Sequence, residues 1–367
     1  MSQLGLIVSQ ASPHPSWSVS SEVVRVSEFP LGVALPVQEW LTAGQHLGLA
    51  VRAEDLGYDA VYAGEIAGTE VFALLGAIAA STKRVTIGPG ITSIFLRSPQ
   101  LMAMALATLE SLAPGRVMPA LGAGTPLIVE SWHGERYDRE TVSAFREYTT
   151  ALRLALSGAR TANGSPRFPS AGFQLQVPPP APLPLLIGAF NPRMLRLAGE
   201  LADGALISFA APDELAAKVA LVREGAESAG KDPATVLVAA QVNCYAGDQV
   251  ERAMTRFRRL VLQYAVLPTH RAGFEPHMPR IDEMTELWHS GRRAAALELV
   301  DDQTVHRLCA VGDADHVLRH VARIRASGVD MPILFPQSLQ YGDADSPATT
   351  ISLVAGQRNA VGTLPSA

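Results

Sequence analysis

Short apolar runs alternate with amphipathic helical patterns along most of the chain. Each run is rich in valine, isoleucine, leucine or alanine, and most are bounded by glycine or proline, which is typical of buried strands. Eight runs fit this description, at residues 4–8, 60–63, 85–87, 117–121, 185–187, 205–208, 236–242 and 331–335. The alternation therefore predicts an α/β protein in which buried parallel strands are separated by helices.

Residues 85–134 show the repeating unit most clearly. A short apolar strand is followed by a loop rich in glycine and proline, and the segment QLMAMALATLESL then has apolar residues at helical spacing. Pro99 suits the first turn of that helix, Pro114 and Gly115 end it, and the next strand begins at Val117. Two short strands joined by a helix are parallel neighbours in one sheet. Both end in glycine-rich loops, and ligands of such folds bind at the carboxyl ends of the strands.

The number of strands indicates the architecture. Eight strands with helices between nearly all of them are the pattern of a (β/α)8 TIM barrel. A doubly wound open sheet is the alternative, but it needs a glycine-rich fingerprint directly after the first strand, where this chain has SQASPHP. Three segments are predicted to be insertions, at 10–37, 157–184 and 247–310. We expect a single domain over 1–345 and a partly loose C-terminal extension over 346–367.

Composition limits the classes of partner. The 367 residues carry a net charge of −5 and only 6% aromatic residues, which argues against nucleic acid. No apolar stretch is long enough to cross a bilayer, and the run 4–8 is too short for a signal peptide. The two cysteines, Cys244 and Cys309, cannot build a disulfide framework. We therefore expect a cytoplasmic protein that acts on a small molecule, without a membrane partner.

Four motifs occur in a fixed order along the chain. They are AEDLGYDAVYAGE, GTEVFALLGAIAASTKRVTIGPGITSIFLRSP, LAPGRVMPALGAGTP and PLPLLIGAFNPRMLRLAGELADGALIS. In this order they resemble the bacterial luciferase-like family, and more closely its branch that uses the deazaflavin coenzyme F420, typified by methylenetetrahydromethanopterin reductase. The resemblance covers roughly 38–156 and 183–230 and is weak over 10–37 and 247–310. It implies a TIM barrel with the cofactor ring at the carboxyl ends of the strands.

The resemblance also implies where the ring is held. In the family, a non-prolyl cis peptide after the third strand supports one face of the ring, and the matching bond here is Gly90–Ile91. From the residues alone, an ordinary trans glycine turn is the alternative. We expect Thr92, which follows this bond, and Gly124 and Thr125, which follow the fourth strand, to contact the cofactor as well.

A second cofactor contact is predicted after the fifth strand. Backbone N–H groups of Gly188, Ala189 and Phe190 precede a helix start, where they can bind an anion or form an ordinary tight turn. The resemblance implies that the cofactor phosphate binds in this loop, which also contains Asn191. Arg193 is placed to assist an acidic cofactor tail.

Four titratable residues are candidates for proton transfer. Glu65 ends the second strand, where its carboxylate would face the barrel mouth. Related enzymes often have a histidine after such an acidic residue, but here Ile66 follows. His14 lies just after the first predicted strand, and Glu130 and His133 form a titratable pair after the fourth. Solvated surface groups are the alternative reading for Glu65 and for that pair.

A metal site is not expected. His316 and His320 are four residues apart on a predicted helix, which is a spacing that metal ligands use. No glutamate lies between them, no third ligand is in view, and the helix is predicted to lie on the barrel exterior.

These features lead to one hypothesis and two alternatives. An F420-dependent oxidoreductase would transfer hydride between the deazaflavin and a small organic substrate. A reduced-FMN monooxygenase keeps the fold, activates dioxygen and needs a separate flavin reductase. A non-catalytic barrel that binds a ligand is the third reading. Thr125 occupies the position of a catalytic glutamate in some deazaflavin sugar-phosphate dehydrogenases, which argues against a sugar phosphate. The resemblance further implies a homodimer.

Overall fold

The structure is a computed structural model that describes residues 30–162 and 164–361, with side chains described as far as Arg358. Nine strands in this part of the chain form one sheet in which every pairing is parallel. Their bounds are β1 Gly32–Leu35, β2 Ala60–Ala63, β3 Thr86–Ser93, β4 Ala120–Gly122, β5 Leu186–Ala189, β6 Gly204–Ile207, β7 Leu237–Ala246, β8 Ala310–Gly312 and β9 Met331–Pro336.

Eight of these strands close into a barrel. The order of pairing runs from β6 through β5, β4, β3, β2, β1 and β9 to β7, and β7 pairs back with β6. Ala239–Cys244 of β7 face β9, whereas its last residues, Cys244–Ala246, pair with the short additional strand β8. The expectation of a (β/α)8 barrel is therefore confirmed.

The first barrel strand differs from the prediction. The predicted strand at 4–8 lies outside the described residues, and β1 at Gly32–Leu35 takes the first position, between β2 and β9. These residues belong to the segment 10–37, which the sequence predicts to be an insertion, so that prediction is wrong for 32–35. The run LGVAL at 31–35 has the same length as the run LGLIV at 4–8, so apolar content alone does not separate the two.

Thirteen α-helices occur in the described residues. Their bounds are α1 Ala43–Asp55, α2 Val71–Ser81, α3 Pro99–Leu112, α4 Thr141–Leu156, α5 Pro192–Leu201, α6 Pro212–Ser228, α7 Val250–Ala265, α8 Arg271–Phe274, α9 Ile281–His289, α10 Arg293–Glu298, α11 Asp302–Leu308, α12 Ala314–Ala326 and α13 Asp345–Val361. Helices α3 and α5 begin where the sequence predicts, because Ser98 and Asn191 cap them and proline occupies the first turn.

Two apolar layers hold the barrel together. The outer layer lies between the sheet and the helices and contains most of the buried leucine and valine. The inner layer fills the barrel lumen with small and large side chains, among them Ala34, Tyr62, Ala120 and Leu186. The lumen is therefore packed with side chains.

The later insertions also take the expected positions. The described residues of 157–184 contain neither helix nor strand, and 247–310 contain helices α7–α11, which build a separate apolar cluster around Phe257 and Phe274. The start of the predicted C-terminal extension is helix α13, whose Ile351 and Val354 are fully buried. This helix is part of the outer layer of the barrel.

Candidate functional site

A cavity of about 480 Å³ opens at the carboxyl ends of β1, β2, β7 and β9. Its wall includes Gly64 after β2, Asn243 of β7 and Gln337 after β9. Helix α7 contributes Arg256 and Tyr264 from the insertion. The cavity thus lies at the edge of the sheet where the sequence analysis places the chemistry.

A floor formed by the Ile91 side chain over Gly122 and Gly188 lies beside this cavity. The peptide bond Gly90–Ile91 is cis, as predicted. The side chain of Ile91 covers Gly122 and Gly188, because a Cβ added to these glycines would lie 2.4 Å from Ile91 Cδ1 and 2.8 Å from Ile91 Cγ2, respectively. Gly64 joins the floor to the cavity, since its added Cβ would lie 3.7 Å from the carbonyl oxygen of Gly90.

Amide side chains on β7 face this floor from across the lumen. Gln241 Nε2 donates to the carbonyl oxygen of Gly90 at 3.4 Å. Asn243, which is two residues further on, accepts from Gln337 Nε2 at 3.1 Å, and both side chains are buried. The sequence analysis missed these residues, although the two polar positions in AAQVNCYA carry the period of a strand with a polar inner face.

Glu65 is held in an ion pair with Arg97. Arg97 Nη1 lies 2.5 Å from Glu65 Oε2 and Arg97 Nη2 lies 2.6 Å from Glu65 Oε1, while the Thr92 hydroxyl donates to Glu65 Oε2 at 2.7 Å. Burial alone would raise the pKa of the Glu65 carboxyl, but these hydrogen bonds outweigh it and the pKa lies below its usual range. Glu65 is therefore a carboxylate at neutral pH, with both oxygens engaged. Thr92, expected beside the cofactor, has its hydroxyl in this same network.

The loop after β4 is shaped by Gly124 and Thr125. Gly124 has a φ of 70°, and a Cβ at this position would lie 3.4 Å from Ser93 Oγ. The hydroxyl of Thr125 accepts from the backbone N–H of Ile128 at 3.3 Å, at the start of a π-helical segment, Leu127–Trp132. The structure brings both residues to the mouth, next to the end of β3.

Only part of the predicted phosphate loop is a loop, because Gly188 and Ala189 lie inside β5 and are paired with β6. Phe190 and Asn191 join β5 to α5. Asn191 Oδ1 accepts from the backbone N–H of Met194 at 3.0 Å, so that this side chain already serves one donor of the first turn. Arg193 is exposed, and the Phe190 ring lies 5.2 Å from the His270 ring. The loop lies at the same edge of the barrel as the floor, and anion binding there stays a prediction.

The other titratable candidates lie apart from Glu65. Glu130 is exposed and pairs with Arg139 at 3.1 Å, and His133 is exposed just after the π-helical segment. Neither lines the cavity, whereas their neighbour Trp132 does. His14 lies outside the described residues.

The two helix histidines have no metal partner in view. His320 on α12 is buried, and burial lowers its pKa to about 4. Within the described residues, no group of three or more histidine, cysteine or acidic side chains is arranged to hold a metal ion. None of the helices in those residues has both the length and the apolar content that a membrane span needs.

A second ion pair, between Glu39 and Arg256, lies in the wall of the cavity, and the sequence analysis missed it. Arg256 Nη2 lies 2.5 Å from Glu39 Oε1, and the Glu39 side chain is only 1% exposed. Burial raises the pKa of the Glu39 carboxyl despite the opposing effect of Arg256. Glu39 and Arg256 are 217 positions apart, and no local sequence signal connects them. Glu39 follows a strand that the sequence analysis did not recognise, and Arg256 lies inside a predicted insertion.

Comparison with known proteins agrees with this geometry. A protein of Mycobacterium tuberculosis that carries the name coenzyme F420-dependent oxidoreductase is 29% identical over 79% of this chain and 90% of its own length. The F420-dependent glucose-6-phosphate dehydrogenase of Nakamurella multipartita is 31% identical over 76% of this chain and 81% of its own. The structure of the coenzyme F420-dependent tetrahydromethanopterin reductase of Methanopyrus kandleri superimposes with a TM-score of 0.76 at 22% identity, covering 90% and 98% of the two chains.

The family itself is established by a longer match. The sequence profile of the luciferase-like monooxygenases matches residues 28–331, which is most of the chain and includes every barrel strand apart from β9, of which it reaches only the first residue. The match thus includes the cis link after β3, the loop after β5 and the insertion that carries α7. This chain therefore belongs to the luciferase-like monooxygenase family and is an oxidoreductase of the flavin- or deazaflavin-dependent kind.

Proposed function

We propose that this protein transfers hydride between the deazaflavin coenzyme F420 and a small organic substrate. The observation that carries the proposal is the floor of Gly122 and Gly188 beneath Ile91, next to a cavity of about 480 Å³. The names of two relatives, which match 79% and 76% of the chain, support F420 as the cofactor.

The residues at the floor fit a planar cofactor. Gly122 and Gly188 bear no side chain, so the partly exposed Ile91 provides one apolar surface on which a ring can lie. Gln241 and Asn243 offer amide groups to the polar edge of such a ring from the opposite wall. A flat apolar contact combined with a few convergent polar groups is typical of cofactor sites.

The chain's own residues orient the reactants and exclude water. When bound, the deazaflavin supplies a ring carbon that accepts or gives the hydride. Ile91 would support one face, which leaves the face towards the cavity for the substrate. The Gln241 amide fixes the Gly90 carbonyl, and the Glu65–Arg97 pair ties the end of β2 to the loop after β3. Because its pKa is lowered, we assign Glu65 an orienting role rather than proton transfer.

A titration of the purified protein with F420 and with FMN tests the proposal. We expect F420 to bind more tightly than FMN, and Gly188→Ala to weaken F420 binding, because the new Cβ lies 2.8 Å from Ile91 Cγ2 and displaces it from the floor. Overpacking of this kind costs about 1–3 kcal/mol, and the same energy set against binding corresponds to a loss of affinity of about 5- to 150-fold. Gly48→Ala is the matched control, since an added Cβ there meets no atom within 4 Å.

A reduced-FMN monooxygenase is the second candidate, and the description of the family as monooxygenases favours it. Tight binding of FMN without binding of F420 would replace the first proposal by this one. Dioxygen consumption by the FMN-loaded protein would then require a separate flavin reductase.

We also propose that two copies associate. Helix α3 exposes Leu101, Met104 and Leu112 to 51%, 49% and 49%, which is unusual for apolar side chains on one face of a helix. Sedimentation equilibrium tests this proposal, and a monomer at micromolar concentration would contradict it.

A further inference from the structure

In the buried ion pair of Glu39 and Arg256, one carboxylate oxygen and one guanidinium nitrogen have no hydrogen-bond partner among the described residues. A single contact of 2.5 Å joins Glu39 Oε1 to Arg256 Nη2. The other two atoms, Glu39 Oε2 and Arg256 Nη1, are buried and have no hydrogen-bond partner among the described residues. Buried polar atoms are normally paired, and both residues line the cavity, so the unused acceptor and donor point to a ligand.

The backbone around Glu39 is built for this placement. Gln38 and Trp40, on either side of Glu39, have φ values of 63° and 57°. This left-handed region is uncommon for residues other than glycine, and such residues cluster at functional sites. With this backbone conformation the Glu39 side chain is buried, whereas the next side chain, Trp40, is 78% exposed.

Aromatic side chains surround the entrance above the pair. Trp40 stacks on Tyr341 with ring centres 4.8 Å apart and planes inclined by 15°. The guanidinium of Arg256 lies 5.6 Å from the centre of the Tyr341 ring. Trp132 is 50% exposed and also lines the cavity. Exposed aromatic faces of this kind favour a flat, unsaturated ligand.

We propose that Glu39 and Arg256 determine substrate specificity by binding a neutral, planar molecule that has a carbonyl acceptor next to an N–H or O–H donor. The carbonyl accepts from Arg256 Nη1, and the donor group gives its hydrogen to Glu39 Oε2. The pair has no net charge, so an anion is disfavoured by Glu39 and a cation by Arg256. The role of this ligand as the substrate rests on the proposed oxidoreductase function, whereas its binding does not.

Calorimetry with two small probes tests the binding. 2-Quinolone has adjacent carbonyl and N–H groups on a planar ring, and N-methyl-2-quinolone lacks the N–H. We expect 2-quinolone to bind the F420-saturated protein at least tenfold more tightly than its methylated analogue, because the analogue leaves Glu39 Oε2 unpaired. The double variant Glu39→Leu/Arg256→Met should lose this discrimination, since it removes both polar atoms together and leaves no unpaired buried charge.

The controls separate this inference from the cofactor assignment. Arg259→Met removes a charge from an exposed position of the same helix and should retain the discrimination. Circular dichroism verifies that the double variant is folded, and an F420 titration on each variant reports on the cofactor separately. Discrimination that persists in the double variant, equal binding of both probes by the wild-type protein, or no binding of either would overturn the inference. Failure to bind F420, with the discrimination intact in cofactor-free protein, would overturn only the proposed function.

Discussion

Replacing Arg97 by methionine is expected to destabilise the protein substantially. The side chains of Arg97 and Glu65 are 14% and 12% exposed, and the guanidinium contacts both carboxylate oxygens. The Arg97→Met variant leaves a buried carboxylate that keeps the Thr92 hydroxyl but loses its opposite charge. Breaking a buried pair costs about 3–5 kcal/mol, and the residual exposure of both groups places the expected loss at about 3 kcal/mol.

Thermal unfolding followed by circular dichroism measures this effect. For a large domain each kcal/mol shifts the melting temperature by roughly 2 °C, so we expect a decrease of about 6 °C. Arg139→Met is the matched control, because it breaks a pair whose side chains are 63% and 40% exposed. Exposed pairs contribute little, so its melting temperature should be almost unchanged. If the two variants have the same melting temperature, the argument that burial makes the Arg97 pair more stabilising is wrong.

The pH dependence gives an independent check on the same pair. Because the folded-state pKa of Glu65 is lowered, the stability that the Glu65–Arg97 pair gives the folded protein is fully present above the ordinary glutamate pKa of about 4.3. It is lost as the pH falls through the lower folded-state value. Without Arg97, burial raises the pKa of the Glu65 carboxyl, so the variant is relieved of its unpaired charge as the pH falls. The difference in melting temperature between the wild-type protein and Arg97→Met should therefore be largest at neutral pH and shrink as the pH falls through the acidic range. A difference that grows in acid would contradict the assignment.

Three further predictions concern the floor, the scaffold and the thiols. Gly122→Val should abolish measurable F420 binding while the protein stays folded, because its Cβ would lie 2.4 Å from Ile91 Cδ1; retained affinity would exclude this floor as the cofactor site. Glu54→Ala should lower the free energy of unfolding by about 2–3 kcal/mol without changing the affinity for F420. The reason is that the Glu54 carboxylate accepts hydrogen bonds from three successive backbone N–H groups before β3. An unchanged free energy of unfolding in a urea titration would contradict this. Burial raises the pKa of both Cys244 and Cys309, so neither thiol should react with Ellman's reagent until urea unfolds the protein, and rapid reaction of the native protein would show that one is accessible.

The sequence by itself determined most of the barrel. Helix α3 begins and ends where the sequence predicts, because its serine cap, its proline and its apolar periodicity are local signals. The cis link at Gly90–Ile91 was found through the family motif that contains it. The glycines near the ends of β4 and β5 are also visible in the sequence, although their shared contact with Ile91 is not.

The tertiary structure decided which side chains meet. Position in the closed sheet, rather than apolar content, made Gly32–Leu35 the first barrel strand, and this placed Glu39 at the mouth. Closure brought Arg256 from the insertion to Glu39 and turned Gln241 towards the Gly90 carbonyl. These partners are separated by 217 and 151 positions along the chain, where periodicity and capping carry no information. Local patterns specify elements, whereas the geometry of closure specifies the contacts between them.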